Sequence, residues 1–454
     1  MLKTLPVLLY LFLFLGVVNL AHSTPPQLPY SNETVVFEPI FQSQIYLYEA
    51  GLNNKTSIVL IHGMGDRGAR VWDSIIPKLA ERYHVVTFDL PGFGRSSKKN
   101  ALYSPTLYAA FVKWVVDRYV EGPFILIGHS LGGAVALRFA STYQRNLQRL
   151  ILIDVAGILH QAVLTQNMAQ SKLNDLSSKM RWPPLDLLTQ LSRYTIERIQ
   201  GLPIDPEMAI GSAGLRQKLF NADPVKIAGL ALSNEDFSGL IERVTAPTLI
   251  VWGAEDTVTS IRTGKLLSAK IPNARLKVIP NVGHCPMLEQ PEQFNRLILS
   301  ALSTTQIQNR APKARKSDRV GRCDGKNGML FSGAYRQIEV LNSRKVRIVD
   351  VTAESITISG SEVTIETSHI EGKEVAIKLN HSSLTATAVS MVADIAVLGT
   401  GSRMDLAGVK IVGRKAAVQA NDNLTIIFSV SRVESPHTFG NIHGLRRVTP
   451  ESPL

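Results

Sequence analysis

The chain has 454 residues, of which 45% are hydrophobic and 19% are charged, and its formal net charge is +12. This length exceeds a typical single domain, so we expect two or three domains with ample hydrophobic core. The basic residues are spread out apart from one cluster between residues 310 and 322, and no zinc-ligand spacing or nucleic-acid-binding motif accompanies them. We therefore expect no nucleic-acid partner.

The N-terminus carries the pattern of a secretory signal peptide. Lys3 precedes an apolar run from Leu5 to about Ala21, and Ala-His-Ser at 21–23 fits the small-x-small pattern before a cleavage point. The sequence therefore predicts a signal peptide over residues 1–23 and an exported protein, either periplasmic or secreted. The apolar run is slightly short for a membrane span, so an uncleaved anchor is the less favoured alternative.

The next part of the chain alternates between strand and helix patterns. Residues 34–49 suggest a hairpin at a sheet edge, and later apolar runs without polar alternation are each followed by a helical pattern. Such runs predict a mostly parallel sheet with helices on both faces. Between about 155 and 241 no strong strand appears, which predicts a helical cap inserted after the sixth strand. The predicted sheet strands are 57–61, 84–88, 124–127, 150–154, 247–253 and 275–279, and a last helix covers about 291–302.

One serine stands at the junction of a predicted strand and a predicted helix. Gly128, Ser130 and Gly132 form the pattern G-x-S-x-G, the nucleophile elbow. The serine of such an elbow sits in a strained turn, and its neighbours pass too close to tolerate a Cβ. The turn lifts the hydroxyl clear of the sheet and points the helix N-terminus at its ligand. The alternative is a glycine-rich turn whose serine only caps the helix.

Several further motifs follow predicted strands in the same order as in one known family. They are His-Gly-Met-Gly at 62–65, Asp-Leu-Pro-Gly-Phe-Gly-Arg-Ser at 89–96, the elbow at 128–132, Gly-Ala-Glu-Asp at 253–256 and Gly-His at 283–284. With these motifs the chain resembles the α/β-hydrolase family over about residues 35–303. Each motif lies at the carboxyl end of a predicted strand, which is where open α/β sheets bind their ligands.

The resemblance implies a catalytic triad. Ser130 would be the nucleophile, His284 the base that takes its proton, and Asp256 the acid that orients the imidazole. The chain order Ser, Asp, His is the order that this fold requires. Asp154, at the end of the preceding strand, is a rival for the acid because a few relatives place it there, and Glu255 is a weaker rival.

The same resemblance implies an oxyanion hole, the set of donors that stabilises the charge of the tetrahedral intermediate. The N–H groups of Leu131 and Met64 are the expected donors. We expect His62 to hydrogen-bond the loop, the segment 89–96 to be structural, and Cys285 to be a packing residue. A disulfide between Cys285 and Cys323 is left open, since two thiols are too few to define a framework.

A serine nucleophile limits the chemistry within this family. Relatives that attack with a carboxylate cleave alkyl halides or epoxides, whereas a serine favours hydrolysis of esters, thioesters or related acyl bonds. Carbon–carbon bond hydrolases of diketone-like acids and perhydrolases also keep a serine. We therefore expect an exported esterase or lipase-like enzyme that acts on a small-molecule or lipid ester, with no metal or organic cofactor.

The C-terminal third has a different composition. Residues 304–327 read as a basic linker, 328–435 as a β-rich domain of short alternating runs, and 436–454 as a flexible tail. The short runs suit a right-handed parallel β-helix, with a β-sandwich as the alternative. Fold-level analogy suggests glycan or cell-surface contact. A carbohydrate esterase, or an adhesion protein with a vestigial hydrolase domain, are therefore the competing functions.

Overall fold

The structure, a computed structural model, describes residues 32–160, 206–303 and 317–454. The predicted signal peptide lies outside these ranges, as does the part of the predicted cap between 161 and 205. In the described ranges, no helix is both long enough and apolar enough to cross a bilayer.

The first domain is built on an eight-stranded sheet with the order β1-β2-β4-β3-β5-β6-β7-β8. The first two pairings are antiparallel and form the predicted edge hairpin and its neighbour, while the other pairings are parallel. This confirms the predicted α/β class with its mostly parallel sheet. The strands are β1 (Asn32–Glu38), β2 (Ser43–Ala50), β3 (Ser57–Ile61), β4 (His84–Phe88), β5 (Phe124–His129), β6 (Leu147–Ile153), β7 (Thr248–Gly253) and β8 (Ala274–Ile279).

Helices cover both faces of this sheet. After β3 the chain forms a 3₁₀ turn over Gly68–Trp72 and then the short helix α1. The described part of the cap region contains three α-helices. Ser104 caps α2 by accepting the N–H of Leu107, and a proline follows it at the first helical position. The helices are α1 (Ile76–Ala80), α2 (Pro105–Tyr119), α3 (Leu131–Thr142), α4 (Pro206–Gly211), α5 (Ala213–Phe220), α6 (Pro224–Asn234), α7 (Ile261–Lys270), α8 (Pro286–Glu289) and α9 (Pro291–Ser303).

The C-terminal domain is a stack of parallel strands. Apolar residues of successive coils lie in register and are buried, as in the column Ile338, Ile356, Ile377, Val397 and Val418. Parallel pairing of this kind is typical of a β-helix, whereas a sandwich is built from antiparallel sheets. The all-β domain is therefore confirmed, while the β-helix and its right-handed winding stay predictions.

The strands of this domain extend beyond the predicted range of 328–435. A strand begins at Val320, inside the predicted linker, and another lies within the predicted tail and pairs antiparallel with its predecessor. The alternation of apolar and polar residues in these two strands is weak, so the sequence pattern does not reveal them. Pairing with neighbouring strands satisfies their backbone N–H and C=O groups. The strands are β9 (Val320–Asp324), β10 (Leu330–Ala334), β11 (Gln337–Leu341), β12 (Val346–Ala353), β13 (Ser355–Ser359), β14 (Glu362–Glu366), β15 (His369–Glu371), β16 (Val375–Asn380), β17 (Ser383–Thr387), β18 (Ser390–Thr400), β19 (Arg403–Ala407), β20 (Lys410–Ala420), β21 (Leu424–Glu434) and β22 (Phe439–Val448).

One corner of the stack repeats a serine in four successive coils. The N–H of Ser343 donates to the hydroxyl of Ser361 at 3.0 Å, that of Ser361 to Ser382 at 3.1 Å, and that of Ser382 to Ser402 at 3.0 Å. The residue before each serine has a positive φ, at Asn342, Gly360, His381 and Gly401. Each corner therefore needs a residue that tolerates the left-handed region, followed by a small hydroxyl that satisfies the buried amide of the coil before it.

The two domains pack against each other. Ala407, Ile427 and Val430 of the β domain are part of the hydrophobic core of the first domain. At the start of the cap region, the N–H of His160 donates to the hydroxyl of Ser429 at 2.8 Å, and the rings of His160 and His443 lie 5.1 Å apart. The interface thus joins the β domain to the point where the chain leaves β6.

This pair of histidines should make stability depend on pH. Burial and the neighbouring His443 lower the pKa of His160 to about 4, although Asp405 opposes them, and burial lowers the pKa of His443 despite Asp236. Nδ1 of His443 accepts the N–H of Val430 at 3.3 Å, which requires the neutral ring at that atom. In the unfolded chain such rings bind protons below about pH 6.5.

Because the unfolded chain binds more protons between pH 6.5 and 4, lowering the pH through this window should destabilise the fold. We expect the histidine pair to contribute about 1–2 kcal/mol to this loss, after allowance for solvent screening. Thermal unfolding measured from pH 7 to 4.5 tests this, and His160→Gln should have a shallower slope than the wild type. An equal slope in both proteins would contradict the prediction.

Candidate active site

Ser130 occupies the turn between β5 and α3, where the backbone is strained. Its φ is 54° and its ψ is −117°, it is 2% exposed, and its N–H donates to the carbonyl of Ile153 at 2.9 Å. A Cβ at Gly128 would come within 2.2 Å of the Gly132 carbonyl, and one at Gly132 within 2.4 Å of the Ile61 carbonyl. The small flanking residues are therefore a steric requirement of this turn, which agrees with the elbow geometry that the sequence indicates.

The structure brings Ser130, His284 and Asp256 together from three separate loops. Nε2 of His284 lies 3.0 Å from Oγ of Ser130, and Nδ1 of His284 lies 2.9 Å from Oδ2 of Asp256. The histidine side chain is 6% exposed and the Asp256 side chain is fully buried. In this geometry Nδ1–H donates to the carboxylate, so Nε2 is left free of its proton and can accept the serine hydroxyl.

The loop that follows β7 holds Asp256 in its ionised form. Oδ1 accepts the N–H groups of Val258 at 2.8 Å and Thr259 at 2.9 Å, and Oδ2 accepts the Thr259 hydroxyl at 2.5 Å. Burial pushes the pKa of Asp256 upwards, but the interaction with His284 and the hydrogen bonds from His284 and Thr259 outweigh it and lower the pKa. A carboxylate with these donors is held in one orientation toward the imidazole.

The two rival acids occupy other environments. Asp154 is fully buried, and its Oδ1 accepts the N–H of Gly253 at 2.9 Å. Burial, the nearby charge of Asp256 and hydrogen bonding to Asp256 raise the pKa of Asp154 well above its usual value. The raised pKa favours the protonated form of Asp154, and the carboxylate that contacts Nδ1 of His284 is that of Asp256. Glu255 is exposed, and its N–H donates to the carbonyl of Val282.

The expected oxyanion donors lie on both sides of the nucleophile. Leu131 is the first residue of α3, where backbone N–H groups have no partner within the helix. The turn at 62–65 also approaches closely, because a Cβ on Gly63 would come within 2.9 Å of the Ser130 Cβ. Met64 follows in this turn, and its side chain packs against the hydrophobic core. The two loops that carry the expected donors therefore both lie beside Ser130. The role of the Leu131 and Met64 N–H groups as oxyanion donors stays a prediction.

Sequence reasoning missed two residues that hold the histidine loop. His129 is buried, its Nε2 lies 2.8 Å from the carbonyl oxygen of His284, and the two rings are 4.9 Å apart. Glu289 accepts the N–H groups of Gly283 at 2.6 Å and Cys285 at 2.8 Å, the two residues that flank His284. His129 is the variable residue before the serine of the elbow, so only its polarity at a buried strand end could have signalled a role.

Replacing His129 should impair the site without removing any of the three central side chains. Burial and the neighbouring His284 lower the pKa of His129 to about 3, so its ring is neutral near pH 7 and Nε2–H can donate to the His284 carbonyl. His129→Phe removes this donor, and we expect kcat/KM to fall by about 10- to 100-fold because the imidazole is less well placed. His129→Gln, which keeps an N–H donor, should recover part of the loss, whereas equal activity of both variants would contradict the role.

The remaining motif residues have structural partners. Nε2 of His62 accepts the N–H of Leu90 at 2.8 Å, and the side chain of Asp89 accepts the N–H groups of Ala69 and Arg95 at 2.7 and 2.9 Å. Both cysteines are free thiols, and burial together with Glu289 raises the pKa of Cys285 to about 12. In the described ranges no three His, Cys, Asp or Glu side chains form a group that could hold a metal ion.

Comparisons with known proteins find one matching family and several similar proteins. A family model described as alpha/beta hydrolase fold matches residues 56–291. A pimeloyl-[acyl-carrier protein] methyl ester esterase of Nitrosomonas europaea is 28% identical over 247 residues, which are 53% of this chain and 93% of the esterase. A 2-hydroxy-6-oxo-6-phenylhexa-2,4-dienoate hydrolase of Burkholderia cepacia is 30% identical over 281 residues, 57% of this chain and 91% of its own. Among solved structures, a bacterial membrane phospholipase A is 25% identical, with a TM-score of 0.46, over 61% of this chain and 86% of its own.

Proposed function

Because the chain belongs to the alpha/beta hydrolase fold family, we propose that it is an exported serine hydrolase that cleaves carboxylic esters through an acyl-enzyme on Ser130. In this mechanism His284 takes the proton of the attacking hydroxyl and later gives it to the leaving alcohol. Asp256 stabilises the imidazolium that forms between these steps. The N–H groups of Leu131 and Met64 receive the negative charge of the tetrahedral intermediate.

The observation that carries the proposal is the hydrogen-bond chain from Asp256 through His284 to Ser130, with links of 2.9 and 3.0 Å. Serine, imidazole and carboxylate at these separations are what an activated serine nucleophile requires. This series of hydrogen bonds also argues against a vestigial hydrolase domain. A domain without catalytic function would have no need to keep all three side chains in place.

Turnover of p-nitrophenyl esters of increasing acyl length tests the proposal. We expect release of p-nitrophenol and covalent labelling of Ser130 by a fluorophosphonate probe. Because one relative is named as a dienoate hydrolase, 2-hydroxy-6-oxo-6-phenylhexa-2,4-dienoate belongs in the same panel. Labelling of Ser130 with turnover of the dienoate alone would replace ester cleavage by carbon–carbon cleavage, and the absence of labelling would refute a serine hydrolase.

A groove on the β domain supports a second candidate, a carbohydrate esterase that binds a glycan. The groove has a volume of about 600 Å³ and runs along the serine corner of the coils. Polar side chains that can hydrogen-bond sugar hydroxyls line it, namely Arg344, Glu362, His381, Arg403, Asp422 and Asn423. Binding of the protein to a glycan panel, weakened by Glu362→Gln, would favour this candidate. Uniform failure to bind would leave the simple esterase.

Export is the remaining part of the proposal and rests on the N-terminal pattern alone. Lys3 and the apolar run after it precede the small-x-small pattern at 21–23. Protein recovered from the periplasm or the medium should begin at Thr24 when its N-terminus is sequenced. Recovery of a chain that still begins at Met1 and sediments with membranes would favour the uncleaved anchor.

A further inference from the structure

The β domain contacts the hydrolase domain beside the loop that carries Asp256. Four hydrogen bonds meet at the guanidinium of Arg262, in the first turn of α7. Nη1 donates to Oδ2 of Asp405 at 2.5 Å, Nε to the Thr387 hydroxyl at 2.6 Å, and Nη2 to the carbonyls of Ala386 at 2.9 Å and Asp405 at 3.0 Å. The side chains of Arg262 and Asp405 are 12% and 15% exposed, so this ion pair is mostly removed from water.

Arg262 lies close in sequence to the residues that hydrogen-bond the catalytic acid, Asp256. Its N–H donates to the hydroxyl of Ser260, which caps α7, at 3.3 Å. The preceding residue, Thr259, gives Asp256 both its N–H and its hydroxyl, at 2.9 and 2.5 Å. Only two residues, Ser260 and Ile261, therefore separate the domain contact at Arg262 from the threonine that orients the acid. A shift of the first turn of α7 would move these donors together with the carboxylate.

The hydrolase domain supplies a competing anchor for this loop. Nε1 of Trp252 donates to the carbonyl of Thr259 at 3.2 Å, and the indole is fully buried. This bond holds the Thr259 peptide within the hydrolase domain, whereas Arg262 connects the helix that follows Thr259 to the β domain. An experiment must therefore separate a loop held by its own domain from a loop whose position depends on the β domain.

We propose that Arg262 is a positioning residue through which the β domain holds the Asp256 loop, so that the C-terminal domain completes the hydrolase site. The inference rests on the proposed serine hydrolase function. Thr387 and Asp405, from two adjacent strands of the β domain, act as the fixed acceptors, and the planar guanidinium meets both at once. A lysine could not reproduce this fork of bonds.

The interface offers a matched control one turn further along α7. Lys265 pairs with Glu366 of the β domain at 2.8 Å, and its side chain is 34% exposed. Lys265→Gln removes a contact between the same two domains but leaves the first turn of α7 and the Arg262 bonds in place. A general weakening of the domain contact would affect Lys265→Gln and Arg262→Gln alike, whereas a positioning role would separate them.

The test uses the full chain and measures fluorophosphonate labelling of Ser130 as well as kcat and KM for the best p-nitrophenyl ester. For Arg262→Gln we expect kcat and the labelling rate to fall by about 10- to 100-fold with KM changed by less than about threefold. The acid limb of the pH profile of kcat/KM should move to lower pH by about one unit, because a displaced Asp256 favours the protonated imidazole less. Lys265→Gln should match the wild type in both readouts.

Thr387→Val is a second, milder variant that keeps the test decisive if Arg262→Gln does not fold. It removes only the acceptor of the Nε bond and should give a smaller loss of kcat, about threefold, in the same direction. Wild-type labelling rates and an unshifted pH profile in folded Arg262→Gln and Thr387→Val would overturn the inference while leaving the hydrolase intact. Failure of the wild type itself to label would overturn the proposed function, and this inference with it.

Discussion

Replacing Ser130 with alanine should lower kcat for ester hydrolysis by a factor on the order of 10⁶, while the protein stays folded and binds its substrate. The loss is large because the substitution removes the hydroxyl that forms the acyl-enzyme. Cys285, the nearest thiol in sequence to His284, is held protonated by burial, with its pKa raised to about 12. The measurement is steady-state turnover of the best p-nitrophenyl ester, with complete loss of fluorophosphonate labelling as the second readout.

Ser130→Ala also has a built-in control for folding. The residue at this position has a φ of 54°, so alanine keeps the strained turn rather than relieving it, and the fold should be unchanged. Circular dichroism and the thermal midpoint should therefore agree with the wild type to within a few degrees. Turnover that survives in Ser130→Ala would mean that the hydrolysis is performed by another group or by a contaminant.

Asp256→Asn should reduce kcat by roughly 10⁴-fold, because an amide cannot stabilise the imidazolium and favours the wrong tautomer of His284. Asp154→Asn is the matched control, since it makes the same chemical change at a buried carboxyl of the same site. Burial and Asp256 raise the pKa of Asp154, which favours its neutral form, and Asp154 is not a member of the hydrogen-bond chain from Asp256 through His284 to Ser130. We expect Asp154→Asn to lose less than about tenfold in kcat.

Steady-state kinetics of the two variants, measured side by side, decides which carboxyl is the acid of the triad. A large loss in Asp154→Asn with a small loss in Asp256→Asn would assign that role to the residue after β6. Equal large losses would mean that the two carboxyls act as one proton-sharing unit, so that neither alone orients the histidine.

Sequence patterns could predict the hydrolase fold because its elements are locally consistent. The apolar strands and the motifs at strand ends are short continuous patterns, and the glycines around Ser130 belong to one five-residue motif. The convergence of Asp256 on His284 was predictable by resemblance, since both follow strands of one sheet. His129 and Glu289 were not, because their partners are backbone groups of the His284 loop, and no residue pattern records which amide a side chain will meet.

The C-terminal domain was harder to interpret from sequence for a physical reason. At one corner its coils are fixed by a residue with a positive φ followed by a buried hydroxyl, and the first position is filled by Asn342, Gly360, His381 and Gly401. Three residue types, Asn, Gly and His, meet the same backbone requirement at these four positions, and this variety obscures the repeat. The strands at the two ends, β9 and β22, are stabilised by pairing with neighbouring strands. Their short alternation of apolar and polar residues is therefore too weak a pattern to predict them as strands.

The packing of Ala407, Ile427 and Val430 into the hydrophobic core of the hydrolase domain has a consequence for how the molecule unfolds. Two domains that share buried side chains cannot lose their structures independently, because opening either one exposes apolar surface of the other. A single calorimetric transition is expected, rather than one for each domain. By the same reasoning, a chain that ends at residue 303 would expose to solvent the apolar surface that the β domain covers. We expect such a chain to aggregate.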